Sequence, residues 1–375
     1  MRDHESYLTT QDEIPLFEDS FQKKYLKQEA LGQGGMGQVL SAVNANLRRS
    51  VAIKKLHSGV EDELSKKLFI REAQITGQLE HPNIVPVYEI GTDDHGQIFY
   101  SMKKIDGIPL DRILEGIKAG KRKYITRFPL SQLLNIFTRI CEAIEYALAK
   151  GIIHLDIKPE NIMIGHYGEV LVLDWGIARF RKKKGTTYME PVTLEPSARC
   201  PVDMDEASCR VVGTPAFMAP EQATGSLDMI GTRTDVYALG TILYNILTLH
   251  PPGEGQKTTQ ILKSVAIQDF KDPLEYNKIQ DSDFVLNHCP DKQIPEALAA
   301  ICRKAMQTDL GKRYPSAYDL HDDVEAHIAG YSTNAEELSL VGEFRLLCER
   351  HKEAAFIILG SGLLNIILLA LYFSN

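Results

Sequence analysis

The sequence predicts an α+β chain, with a small β-rich lobe followed by a larger helical lobe and then one membrane-spanning helix at the C-terminus. Three observations predict it. The first hundred residues are mostly strand-like runs around a single helical stretch. Beyond Asp106-Gly107 the apolar spacing becomes helical. Residues 354–373 carry no charged side chain, and at about 1.5 Å per residue they span roughly the 30 Å of a hydrocarbon core.

Taken in order, residues 1–24 read as an acidic, mixed leader too polar to pack a core. Tyr25-Leu26 and Ala30-Leu31 lead into Gly32-Gln33-Gly34-Gly35-Met36-Gly37, and Val39 to Val43 resumes an extended pattern. Val51-Ala52-Ile53-Lys54 is another strand-like run. Leu64 to Leu79 has apolar residues at helical spacing (Leu68, Ile75, Leu79), and His81-Pro82-Asn83 ends that helix. Ile84 to Ile90 and Gln97 to Met102 read as strands joined through Asp93-Asp94-His95-Gly96. The second lobe opens on a helix from Leu130 to Lys150, striped by Leu133, Leu134, Phe137, Ile140, Cys141, Ile144 and Leu148. After a loop-rich centre, helical patterns return at Asp235 to Leu249, Ile294 to Thr308 and Ser316 to His327. The lobes therefore span residues 25–105 and 106–330, with a linker over 331–353.

Composition narrows the function classes. Hydrophobic residues at 44% and charged residues at 25% are ordinary for a folded protein. A net charge of -8 argues against non-specific nucleic-acid binding. The six cysteines show no C-x-x-C pair or metal-ligand spacing and read as thiols in a reducing compartment. No apolar stretch follows the polar start, so no secretory leader is expected and the N-terminus is expected to stay in the cytoplasm.

The glycine loop alone says little, since G-x-G-x-x-G also opens dinucleotide folds, where it joins a strand to a helix. Here Gly32, Gly34 and Gly37 lie between two strand-like runs, and Val39 completes the pattern. Bare backbone N–H groups there can close over phosphate oxygens, although a plain hairpin turn would look the same. Lys54, on the next strand, can reach those oxygens, and Glu72 in the predicted helix can aim it. The decisive run is His154-Leu155-Asp156-Ile157-Lys158-Pro159-Glu160-Asn161, followed by Leu173-Asp174-Trp175-Gly176. Phosphoryl transfer needs a carboxylate to accept a hydroxyl proton, which Asp156 can be, and groups to hold metal ions on phosphates, which Asn161 and Asp174 can be. Lys158 can neutralise charge on the transferred group.

From Tyr25 to Gly330 these residues resemble the eukaryotic-type (Hanks-type) Ser/Thr protein kinase family, with wording closest to its bacterial members. The resemblance implies the bilobal protein kinase fold and transfer of the γ-phosphoryl group of ATP, with Mg2+ or Mn2+, to protein Ser/Thr hydroxyls. It implies that Asp156, Lys158 and Asn161 are catalytic and that Asn161 and Asp174 bind the metal. It assigns ATP contacts to Leu31, Gly32, Gln33, Gly34, Gly35, Met36, Gly37, Val39, Ala52, Lys54, Glu72, Met102 and Lys104. Met102 would be the gatekeeper, and Lys103 to Ile105 the hinge. Ala219-Pro220-Glu221 would end the activation segment, Asp235 brace the catalytic loop, and Glu221 pair with Arg313. Lys158 and Gly213-Thr214-Pro215 match the Ser/Thr rather than the Tyr class.

Two positions depart from the family pattern. Leu155 stands where an arginine usually binds a phosphate on the activation segment, so activity is expected not to depend strictly on phosphorylation there. Trp175 replaces a phenylalanine and adds volume, for which the small Thr76 is expected to compensate. The basic run Arg179 to Lys184, with Cys200 and Cys209 beyond it, reads as a solvated insert.

Arg345, Arg350 and Lys352 precede the apolar run and only Ser374-Asn375 follow it, which predicts a single-pass protein of the cell membrane with its kinase domain cytoplasmic. Asn365 offers a hydrogen bond for self-association of such helices. Two other readings compete. A silent kinase-like scaffold is disfavoured because Lys54, Asp156, Asn161 and Asp174 are all present. A nucleotide-binding oxidoreductase is disfavoured because a strand follows the glycines.

Overall fold

A computed structural model describes residues 20–33, 37–57, 62–180, 214–279 and 285–336. The small lobe begins one turn earlier than the sequence suggests. Residues Phe21–Lys24 form helix α1, and Asp94 accepts hydrogen bonds from the backbone N–H groups of Phe21 (3.1 Å) and Gln22 (3.0 Å). Phe21 is buried against the rings of Tyr25 and Phe99, at centroid distances of 5.2 and 4.6 Å. The end of the predicted leader is therefore part of the lobe, because one aromatic side chain is worth burying even in a polar segment.

Strands β1 (Tyr25–Gln33), β2 (Gly37–Asn44) and β3 (Arg49–Leu56) precede helix α2 (Glu63–Gly77), and β4 (Val87–Thr92) and β5 (Ile98–Lys103) follow it. The five strands form one antiparallel sheet in the order β1-β2-β3-β5-β4. Asp62 caps α2 by accepting from the Ser65 N–H at 2.7 Å. Leu68, Phe69, Ala73 and Ile75 give α2 a buried face, and Phe69 and Ala73 pack with Leu56 and Tyr100 of the sheet.

The large lobe opens with β6 (Gly107–Pro109) and helices α3 (Leu110–Lys118), α4 (Arg122–Arg127) and α5 (Leu130–Ala149). Short strands β7 (Ile152–Ile153), β8 (Ile162–Gly165), β9 (Val170–Val172) and β10 (Arg179–Phe180) come next. Then follow α6 (Pro220–Ala223), α7 (Thr232–Thr248), α8 (Thr258–Ile267), α9 (Glu296–Ala305) and α10 (Ala317–Ile328). Helix α7 is buried on every side from Thr234 to Thr248, so it forms the centre of the lobe. Helices α5, α9 and α10 surround that centre through Leu133, Phe137, Ile140, Leu298, Ile301 and Leu320, all fully buried in one cluster.

The segment between the lobe and the predicted membrane span starts later than residue 331. The Asn334 N–H and side-chain amide both donate to Asp323, at 2.7 and 2.9 Å, and Thr333 is buried. Residues 331–336 thus belong to the large lobe. Among the described residues no helix is long and apolar enough to cross a membrane. The predicted span over 354–373, Asn365 and the preceding basic residues lie outside the described residues, as do Arg181 to Lys184, Cys200 and Cys209. Cys141, Cys289 and Cys302 are buried free thiols.

Candidate active site

The site lies where the sheet of the small lobe faces the short strands of the large one. Strands β1 and β2 form its glycine hairpin, with Gly32 opposite Val39 and Gln33 opposite Gln38. Gly34, Gly35 and Met36, at the tip, lie outside the described residues. Gly37 tolerates no side chain, since a Cβ there would sit 2.1 Å from the Lys55 carbonyl oxygen. At Gly32, by contrast, a Cβ would meet nothing within 4 Å. Leu31, Gly32 and Gln33 are exposed. Ala52 on β3 is buried opposite Met102 on β5, and Lys104 is partly exposed in the crossing between the lobes.

Lys54 lies between Val39 and Tyr100 in the β2-β3-β5 register, which points it at α2. Its ammonium donates to Glu72 Oε1 at 2.5 Å, and Glu72 is 2% exposed. A carboxylate this buried is held only by its partners. Tyr100 supplies the second partner, donating from Oη to the same oxygen at 2.7 Å.

The catalytic-loop residues form a second cluster. Lys158 Nζ lies 2.8 Å from Asp156 Oδ2 and donates to Thr214 Oγ1 at 2.8 Å. The Thr214 N–H and hydroxyl both donate to Asp156 Oδ1, at 3.1 and 3.2 Å. Asn161 Nδ2 donates to the Asp156 carbonyl at 2.9 Å, which leaves the amide oxygen as the side chain's acceptor. Asp174 adopts a left-handed φ of 55° and accepts from the Gly176 N–H at 3.2 Å. Burial pushes the Asp174 carboxyl up, but the Lys54 charge and the Gly176 N–H outweigh it and hold the group below the usual carboxylate range.

Asp235, 1% exposed at the start of α7, shapes this loop from beneath. Its oxygens accept from the backbone N–H groups of His154 (2.8 Å) and Leu155 (3.0 Å). Those bonds hold Leu155 at a φ of 68°, a conformation a leucine otherwise avoids. Burial raises the pKa of Asp235, opposed by His154 and the two N–H groups. The His154 ring accepts at Nδ1 from the Asp156 N–H (3.2 Å) and meets the Leu173 carbonyl through Nε2 (3.2 Å), so it links Asp156 to the Asp174 turn.

Known proteins place this arrangement. The sequence model described as "protein kinase domain" matches residues 25–323. The chain belongs to the protein kinase family. It is 35% identical over 314 residues to the serine/threonine-protein kinase PknD of Protochlamydia amoebophila, covering 81% of this chain and 30% of that protein. The PknD proteins of Chlamydia felis (34% over 307 residues; 80% and 30%) and Chlamydia muridarum (32% over 324 residues; 83% and 32%) are also similar. The chain thus spans about a third of the length of these curated relatives.

Within this kinase domain Arg313 and Glu221 pair in the interior, with both guanidinium–carboxylate contacts at 2.9 Å. Leu155, where kinases usually carry arginine, is buried in the core of the large lobe, and its carbonyl accepts from Gln222 at 2.9 Å. Trp175 is 1% exposed, with its ring 4.4 Å from that of His154 and its N–H without a partner among the described residues. The Thr76 hydroxyl donates back to the Glu72 carbonyl at 2.8 Å, which keeps that position small and internally satisfied.

Sequence reasoning missed Tyr100. The signal was available: it stands two residues before Met102 on a strand of period two, on the face that must meet Lys54.

Proposed function

We propose that this chain is an ATP-dependent protein Ser/Thr kinase, held at the cytoplasmic face of the cell membrane by residues 354–373. The observation that carries the catalytic reading is the convergence of Lys158 and Thr214 on one carboxylate, Asp156, whose backbone carbonyl accepts from Asn161. In this reading Asp156 orients the substrate hydroxyl and takes its proton. Lys158 steadies the charge on the transferred group, and Lys54, aimed by Glu72, holds the ATP phosphates. The glycine hairpin covers those phosphates, and Ala52, Met102 and Lys104 border the adenine.

The donor set fits a hard divalent cation, since Asp174 is held ionised and the Asn161 amide, donating through Nδ2, keeps its oxygen as an acceptor. Among the described residues no three His, Cys, Asp or Glu side chains gather as a metal cage. Two protein oxygens, with phosphates and water completing the shell, are the pattern Mg2+ prefers. When bound, Mg2+ or Mn2+ supplies charge neutralisation on the phosphates. The chain's part is to keep Asp174 anionic and to fix Asn161 through Asp156. Asp174→Asn should abolish Mg-dependent phosphotransfer while nucleotide binding persists; transfer at the wild-type rate would rule out this role.

Support for Ser/Thr as acceptor comes from Thr214, linked to both Asp156 and Lys158, and from the similarity to serine/threonine-protein kinases. Support for the membrane tether is the charge-free run with Arg345, Arg350 and Lys352 before it. Deleting residues 354–373 should move the protein from the membrane pellet to the soluble fraction. An unchanged pellet fraction would refute the anchor. Self-association through Asn365 belongs to the same proposal.

A further inference from the structure

We infer that Tyr100 is a positioning residue of this site: its phenol, together with Lys54, holds the Glu72 carboxylate and keeps α2 seated on the sheet. The inference rests on the kinase reading and adds to it a locking device inside the small lobe.

The geometry is a three-way junction. Tyr100 and Lys54 are direct cross-strand partners on β5 and β3, so their side chains leave the same face of the sheet side by side. Both donate to one oxygen, Glu72 Oε1, at 2.7 Å from the phenol and 2.5 Å from the ammonium. The other carboxylate oxygen, Oε2, is buried without a hydrogen-bond partner among the described residues. The described side-chain hydrogen bonds of Glu72 therefore converge on Oε1, and the phenol is one of two donors there. Tyr100 is 4% exposed, and its ring packs at 5.2 Å on Phe69, one turn before Glu72 on α2. Burial, then the Glu72 charge, raises the phenol's pKa well above its ordinary range, so it stays a donor at any working pH.

Lys54 cannot serve two masters equally well. In the proposed reaction its ammonium turns towards the phosphates of ATP, and whatever attention it gives them weakens its hold on Glu72. The phenol has no such second task. It ties α2 to β5 independently of nucleotide, and independently of any phosphate on the activation segment, which the buried Leu155 is unsuited to sense.

The test uses the chain of residues 1–375 with Tyr100→Phe, Glu72→Ala and the double variant. Tyr100→Phe keeps the ring and the Phe69 contact and removes only the hydroxyl. We expect kcat to fall by about ten-fold, the effect of one hydrogen bond to a charged acceptor, with a thermal midpoint lowered by only a few degrees, so that the chain stays folded at the assay temperature. In the Glu72→Ala background, which has no acceptor left for the phenol, the same change should cost little more, because its effect passes through Glu72. Hydrogen exchange of the Leu68 to Thr76 amides, which needs no activity, should speed up by about ten-fold in Tyr100→Phe. Wild-type kcat with wild-type exchange in Tyr100→Phe would overturn the inference, as would losses that multiply in the double variant. A wild-type chain that transfers no phosphate would instead contradict the kinase reading, and the exchange data alone would then decide the tie.

Discussion

Replacing Arg313 by methionine tests the buried ion pair that Arg313 makes with Glu221 in the large lobe. Both side chains of the pair are sealed from water, Arg313 at 0% and Glu221 at 2% exposure. The guanidinium donates to both Glu221 oxygens at 2.9 Å, to the Arg233 carbonyl at 3.0 Å, to the Thr308 carbonyl at 3.3 Å and to the Gln307 carbonyl. Methionine fills a similar volume but leaves a buried carboxylate whose remaining described donor is the Thr234 hydroxyl, at 2.8 Å. Removing one partner of such a pair costs about 3–5 kcal/mol, because the other charge stays buried and unpaired. For a domain of this size that corresponds to a thermal midpoint lower by roughly 10 °C. Urea unfolding of Arg313→Met, Glu221→Gln and the double variant measures it. The double variant should recover at least half of the loss, since it removes the orphaned charge. A single variant within about 1 kcal/mol of wild type, or strictly additive losses, would refute the reasoning.

Further outcomes follow from other residues. His288 is buried, and burial lowers its pKa to about 4. The unfolded chain therefore binds the extra proton first, and stability present above the unfolded pKa of about 6.5 should fall by about 3 kcal/mol as pH drops through 4. His288→Gln should flatten the slope of urea stability between pH 6.5 and 4, and an unaltered slope would count against it. Because Leu155 is buried in the core and apolar, phosphatase treatment should leave most of the kinase activity intact. An enzyme silenced by dephosphorylation, then restored by incubation with ATP, would show that another group reads the phosphate.

Much of the site was legible because its chemistry is carried by residues close together in sequence. Asp156, Lys158 and Asn161 sit within one short loop, and Asp174 follows across a hairpin. Strand period and helical spacing put Lys54 on a strand and Glu72 on the following helix, but their pairing was legible only through the resemblance to the kinase family, and the structure brings them together. What stayed hidden depends on register and long-range packing. Tyr100 acquires its role only once β3 pairs with β5 in a register that sets it opposite Lys54. The docking of Phe21 depends on Asp94, 73 residues away, and that of Asn334 on Asp323. Polar segments conceal such anchors, since one buried aromatic or one carboxylate cap leaves no periodic signal. Helix α3 shows Leu110, Ile113, Leu114 and Ile117 at helical spacing, but its nine residues are short for a periodicity argument. Helix α9 begins only at Glu296 because Pro295 occupies its cap.

The role of Asp156 in phosphoryl transfer to protein hydroxyls is tested most directly by one paired assay. The chain of residues 1–375 and its Asp156→Asn variant are given γ-labelled Mg-ATP and a protein acceptor, and the labelled amino acids are identified. Label is expected on Ser or Thr with wild type, with a fall of at least about a hundred-fold with Asp156→Asn, on the order of the general-base contribution. Equal labelling by both proteins, or label on tyrosine alone, would contradict it.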